Sequence, residues 1–293
     1  MKIRSILSMF RSTLKETLKD YKYNCRHLKI RRESSSEKDF ATLRMYCHML
    51  DKAMNNPSFE KGHSTQIFEK AKALCFNLMN KYQDDPAFKW TLEIIERFKN
   101  AQGNGVPKLT DVNAKDYSLD ERSFISDFIK SRISCRNFKS NQIEENVLKE
   151  IVSLAVDAPN GCCRQTVRFH ITQDAEIIHK IMPHVAGMTN FTNVPCVVFI
   201  CAESSFYDLI DKKLQYVDAS LAAENFILAS RLYGIYGTMC NFFHASEKDV
   251  ADCKSLLHIK SSENVVMVIA MGYPQKLPEK PVRRDVESFY EIV

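Results

Sequence analysis

Two apolar runs, PCVVFICA at 195–202 and ENVVMVIAMGYP at 263–274, constrain this 293-residue chain more than any other feature. Continuous, rich in Val and Ile and bounded by proline or glycine, such runs read as buried strands. VRFHI at 167–171 reads as a third strand. Helical patterns lie between them. SLDE at 118–121 is a capping box opening a helix to about Lys130, and QIEENVLKEIVSLAVDAP at 142–159 is a second helix, broken by Pro159. Further helices are expected at about 174–183 and from near Leu209 to Leu232, where Gly234 and Gly237 interrupt the pattern. Interleaved helices and strands from 118 onward predict an α/β or α+β sandwich around a mixed central sheet.

The first hundred residues have a different texture. Helical periodicity covers 40–54, 64–82 and 85–101, whereas QGNGVPKLTDVNAKDYS at 102–118 has glycines, a proline and no period. The expected division is therefore a helical extension over 1–115 and a second unit over 116–293. Within the extension, Ile3, Ile6, Leu7, Phe10, Leu14 and Leu18 form a short apolar stripe with Arg4, Arg11 and Lys15 elsewhere on the wheel. A basic amphipathic helix can lie on anionic lipid or pack on protein; packing is preferred here, with peripheral membrane contact through 1–18 left open. A polar loop is expected after it, with SSSE at 34–37 capping the next helix.

Charge and cysteines exclude several classes. Residues 1–40 carry eleven Lys or Arg against five Asp or Glu, a local +6, so the remainder of a chain with formal charge +5 is near −1. No basic stripe or module for nucleic acid stands out. Ten cysteines occur without paired CxxC motifs, arguing against a disulfide scaffold or structural zinc and for reduced thiols in a cytoplasmic protein. No metal site is expected. There is no apolar run of spanning length and no secretory signal pattern.

Residues 131–138 read SRISCRNF. An extended backbone sends Arg132, Ser134 and Arg136 to one face, where two guanidinium forks and a hydroxyl suit a phosphate. A basic surface strand is the alternative that spacing alone leaves open.

Four pieces in order resemble the nitroreductase-like flavoprotein family. SRISCRNF resembles its opening Arg-Arg-Ser-x-Arg-x-Phe signature, with Ile133 in place of an arginine. DAPNGCCRQTVRF at 157–169 resembles its Ala-Pro-Ser-x-x-Asn-x-Gln-Pro-Trp segment, retaining Ala158, Pro159 and Gln165. YVDASLAAENFILASRLYGIYGTMC at 216–240 resembles the core helix and glycine turn beside the flavin. MGYP at 271–274 and KPVRR at 280–284 resemble the last strand and a basic tail returning to the phosphate. The resemblance implies an α+β nitroreductase-like fold with a mixed, mostly antiparallel sheet, FMN bound at the interface of a homodimer, and ping-pong chemistry with NADH or NADPH. It places Arg132, Ser134, Arg136, Arg283 and Arg284 around the FMN phosphate or ribityl chain, Cys163 and Gln165 at the isoalloxazine, and Gly237 and Thr238 near N5. No catalytic acid is named; Asp218 and Glu224 on the core helix are equally suited to structural roles.

Departures from the pattern matter. Asn160, Cys163, Thr166 and Val167 replace the usual Ser, Asn, Pro and Trp, which keeps a scaffold without turnover, or a flavin-dependent dehydrogenase or dehalogenase using no nicotinamide, as alternatives. YCHMLDKAMNNPSF at 46–59 resembles a segment of family members encoded in bacterial polysaccharide-synthesis loci, with His48, Asp51 and Lys52 matching by type. The electron acceptor stays unspecified.

Overall fold

The computed structural model describes residues 3–104 and 115–293. Its centre is a four-stranded sheet of β1 (Val167–Thr172), β2 (Cys196–Glu203), β3 (Tyr236–Cys240) and β4 (Glu263–Gly272), in the order β1-β2-β4-β3. All three strand pairings are antiparallel. The parallel contribution, among the described residues, is the isolated bridge between Asn137 and Thr192.

The central strands explain their own sequences. Val197, Phe199 and Cys201 of β2 enter one core with Phe138, Ile181 and Phe242. Cys196, Val198, Ile200 and Ala202 enter the other with Ile151, Phe226 and Ile269. A strand buried on both faces has no polar alternation to show. Each fully buried Phe or Ile contributes roughly 1.5–3 kcal/mol relative to exposure, so these two layers anchor everything attached to the sheet edges.

Nine α-helices surround the sheet or precede it among the described residues: α1 (Ile3–Arg32), α2 (Ser36–Met54), α3 (Thr65–Tyr82), α4 (Pro86–Asn104), α5 (Leu119–Lys130), α6 (Glu145–Ala155), α7 (Ala175–Ile181), α8 (Leu214–Leu232) and α9 (Glu247–Leu256). Helices α2 to α4 close on a core of their own, built from Leu43, Leu50, Phe68, Phe88 and Phe98. The expected capping box at the start of α5 is present, with Ser118 and Glu121 reciprocally bonded.

Several expectations needed correction. The polar loop expected after residue 18 is helical, because α1 runs unbroken to Arg32. Its second half is held by polar side chains that contact distant segments: Arg26 Nη2 donates to the Ser261 carbonyl at 2.8 Å, His27 Nε2 lies 3.1 Å from the Tyr207 carbonyl, and Lys212 donates to Asn24. The stripe expected to pack is exposed in this chain at Phe10, Leu14 and Leu18; the side chains of Ile3, Ile6 and Leu7 lie outside the described residues. Helix α8 begins at Leu214, five residues later than expected, after a turn. Most of the connector, 105–114, also lies outside the described residues. No helix among those described is long and apolar enough to cross a membrane.

Candidate functional site

The SRISCRNF stretch leaves α5 at its C-cap, Ser131, and runs extended beside the outer edge of β3. Two bonds hold it there. The Cys135 amide donates to the Gly237 carbonyl at 3.3 Å, and Thr238 Oγ1 donates to the Cys135 carbonyl at 2.6 Å. Cys135 and Phe138 are fully buried, which aims their neighbours outward: Arg132 and Ser134 are half-buried and Arg136 is exposed. Ile133 is half-buried. Arg132 Nη1 reaches Ser134 Oγ at 3.5 Å. Among the described residues, neither Arg132 nor Arg136 has a carboxylate within 4.0 Å. Arg132 beside the Ser134 hydroxyl, with Arg136 two residues further along the same extended run and no carboxylate near either among the described residues, is a donor set suited to a phosphate monoester.

Gly237 and Thr238 belong to β3 itself. A Cβ at Gly237 would stand 3.0 Å from both the Ala270 carbonyl oxygen and Ile269 Cγ2, so glycine is required for β3 to close on β4. The Thr238 hydroxyl is spent on Cys135, making Thr238 a residue that positions the clamp. Sequence reasoning missed Arg231, at the end of α8. Its Nη1 donates to the Ser131 carbonyl at 2.7 Å, its guanidinium covers the Tyr236 ring at 4.2 Å, and its buried Nε has no hydrogen-bond partner among the described residues. A basic residue in the last turn before Gly234 was the available signal.

The C-terminal tail returns partway. Residues 273–276 run beside 135–139, with Lys139 N donating to Tyr273 O at 2.8 Å and Gln275 N to Asn137 O at 3.0 Å. Lys280 Nζ then donates to the Lys130 carbonyl. Arg283 and Arg284 are exposed, and Arg284 lies over Phe289 at 5.8 Å. The described contacts do not join either arginine to Arg132 or Arg136.

Cys163 and Gln165 stand elsewhere, in the turn that leads into β1. Cys162, Cys163 and Gln165 have φ of 56°, 54° and 52°, a left-handed conformation that costs a non-glycine residue roughly 1–2 kcal/mol. Buried polar contacts hold the turn. Asp218 accepts from the Gly161 amide at 2.9 Å and from the Tyr207 hydroxyl at 2.6 Å, while that hydroxyl also meets Thr166 Oγ1. Burial, with Asp218 beside it, holds the Tyr207 phenol protonated well above its ordinary range. From the helical extension, Arg44 donates to the carbonyls of Cys163 at 3.3 Å and Arg164 at 2.6 Å. Cys163 Sγ lies 3.6 Å from His48 Nδ1, and burial pushes its thiol pKa up. Gln165 is exposed and lines a cleft of ≈ 750 Å³ with Ala158, Asn160 and Asp218.

The sheet separates these two sets. The clamp lies outside β3 and the turn opens β1, the opposite edge, so at least four inter-strand spacings, about 19 Å, lie between them.

His170, Cys201 and Glu263 place their ligating atoms within 4.8 Å of one another. His170 already pairs with Glu263, and burial holds the Cys201 thiol protonated, its pKa well above the ordinary value. These residues form a buried polar contact at the far ends of the strands.

Residues 129–192 and 187–273 match the model of the nitroreductase family, and the chain belongs to this family. It is 26% identical over 167 residues to an Archaeoglobus fulgidus protein provisionally named NADH dehydrogenase/NAD(P)H nitroreductase, covering 56% of this chain and 87% of that one. A similarly named Methanothermobacter thermautotrophicus protein is 25% identical over 158 residues, covering 54% and 80%. The fold is shared with a nitroreductase-like protein of Streptococcus mutans, at TM-score 0.53 and 17% identity over 59% of this chain and 99% of that one.

Proposed function

We propose that the chain is an FMN-dependent oxidoreductase that takes reducing equivalents from NADH or NADPH and passes them to a second substrate in a ping-pong cycle. The observation that carries this reading is the clamp of Arg132, Ser134 and Arg136, held open to solvent by Cys135 and Thr238 and free of carboxylates among the described residues. When bound, FMN supplies the hydride chemistry. The protein's part is to hold its phosphate at the clamp, with Arg231 adding charge behind Ser131, and to present Gly237, where a side chain would be in the way.

The position of clamp and turn beyond opposite edges of the sheet supports a homodimer in which the clamp of one copy and the Cys163–Gln165 turn of the other face the same flavin. Arg283 and Arg284, on the exposed tail, are assigned to the phosphate in that assembly. We assign two functional units, an extension over 1–115 and an FMN-binding unit over 116–293, in a cytoplasmic protein with membrane contact through 1–18 as a further option. Placement in polysaccharide synthesis rests on the 46–59 resemblance, in which Asp51 pairs with Arg97 at 3.4 Å and His48 faces Cys163. That last contact favours the alternative of a scaffold without turnover, because it commits the cysteine to the extension.

Replacing both Arg132 and Arg136 with Ala, with the fold verified by circular dichroism, lowers FMN affinity at least about a hundredfold at about 1.5–3 kcal/mol per charged contact. Undiminished flavin occupancy in the double variant would remove the clamp from the account.

A further inference from the structure

The extension and the β1 turn enclose a second cleft, of ≈ 740 Å³, lined by Arg44, Lys81 and Arg168 together with Glu37, Tyr82 and Asp85. Its charges are unbalanced. Glu37 is paired with Lys260 at 3.0 Å, outside the lining. Asp85 Oδ1 accepts from the amides of Ala87 and Phe88 at 2.8 and 3.3 Å, capping α4. Among the described residues, none of the three cations has a carboxylate within 4.0 Å. With Glu37 neutralised by Lys260, three positive charges stand against Asp85, a formal +2.

The crowding is physical as well as formal. Arg44 is only 5% exposed and stacks over Phe40 at 4.2 Å. Burial and the nearby Arg168 both bear on its guanidinium. Its bonds go to the neutral carbonyls of Cys163 and Arg164. Arg168 bonds to the carbonyls of Gln165 and Val167 at 3.2 and 2.9 Å. Like charges held together without a counter-charge are unfavourable, so a site of this kind gains most from an anion that enters it.

We propose that this cleft binds the phosphoryl group of a small phosphorylated ligand, with Arg44 as the buried donor and Arg168 and Lys81 closing on it from the rim. A phosphate monoester carries close to two negative charges at neutral pH, matching the formal +2, where a carboxylate supplies one. The Tyr82 ring offers a flat wall for the rest of the ligand. Gln165 lines both this cleft and its neighbour of ≈ 750 Å³, so a ligand anchored here reaches towards the face assigned to the flavin. The inference goes beyond the redox reading and does not require it, since the anion site is complete without flavin.

The test is isothermal titration calorimetry of the full-length protein with inorganic pyrophosphate, and with malonate as a carboxylate control, absorbance at the flavin band being followed throughout. The expected result is saturable pyrophosphate binding, weaker malonate binding, and a loss of about tenfold in pyrophosphate affinity in each of Lys81→Ala and Arg168→Gln, with the flavin band unchanged. A parallel titration of the Arg132→Ala/Arg136→Ala variant separates this site from the clamp: pyrophosphate affinity stays at the wild-type value if the cleft is the site. No saturable binding, wild-type affinity in both Lys81→Ala and Arg168→Gln, or loss only in the clamp variant would each overturn the proposal. Absence of flavin with pyrophosphate binding intact would count against the redox reading alone.

Discussion

Replacing Tyr207 with Phe removes one oxygen atom from a buried hydrogen-bond network. The ring is fully buried and Asp218 is 2% exposed. The hydroxyl donates to Asp218 Oδ2 at 2.6 Å and also meets Thr166 Oγ1. The substitution keeps the shape of the core and leaves Asp218 with Gly161 N as its remaining described donor. Losing a hydrogen bond to a charged group costs about 1.5–3 kcal/mol, and the stranded Thr166 hydroxyl adds roughly 1 kcal/mol, so the expected loss is about 2–4 kcal/mol. Followed by circular dichroism, the melting temperature should fall by roughly 3–7 °C. The pH dependence has a defined sign. Because the folded-state pKa of Tyr207 is raised, its contribution is fully present below the ordinary tyrosine pKa of 10.0 and is lost as pH rises above it. The difference between wild type and Tyr207→Phe should therefore be flat from pH 6 to 9 and shrink above pH 10. A loss under about 0.5 kcal/mol, or a difference that varies between pH 6 and 9, would refute the network as described.

Other consequences follow from the same geometry. Thr238→Val, nearly isosteric and 95% buried in the native side chain's place, removes the donor to the Cys135 carbonyl; FMN affinity measured by flavin fluorescence should fall about tenfold for a cost of about 1–1.5 kcal/mol. At Cys162, where φ is 56°, Gly should raise stability by about 1 kcal/mol and Val should lower it by at least as much, read from denaturant midpoints. Light scattering after size exclusion should give twice the 33.8 kDa chain mass, since clamp and turn lie on opposite sheet edges; a monomer that retains flavin would contradict that assembly.

Much of the architecture was legible because it depends on local pattern. β2 and β4 announced themselves as unbroken apolar runs, and α5 by its capping box. The second half of α1 did not, because Tyr23, Asn24, Arg26 and His27 are held by partners some 180 residues or more away, and polar pairings at that separation leave no periodicity. β3 is short and contains Gly237, so it read as a turn. α9 buries only Cys253, too little to mark a helical face. At the site, alternation marked Arg132, Ser134 and Arg136 as candidates, while Arg231 and Tyr207 acquire their contacts only once α8 packs beside residues 131 and 161. Asp218, weighed from sequence as suited to a structural role, holds the turn through a backbone amide and a phenol, with no cation bonded to it among the described residues.

The absorption spectrum of freshly purified protein, followed by titration with NADH and then NADPH under nitrogen, tests the central claim most directly. The account predicts a flavin spectrum, FMN released on denaturation, and bleaching of the long-wavelength band by at least one of the two nucleotides. A colourless protein that gains no flavin band on incubation with FMN would contradict it.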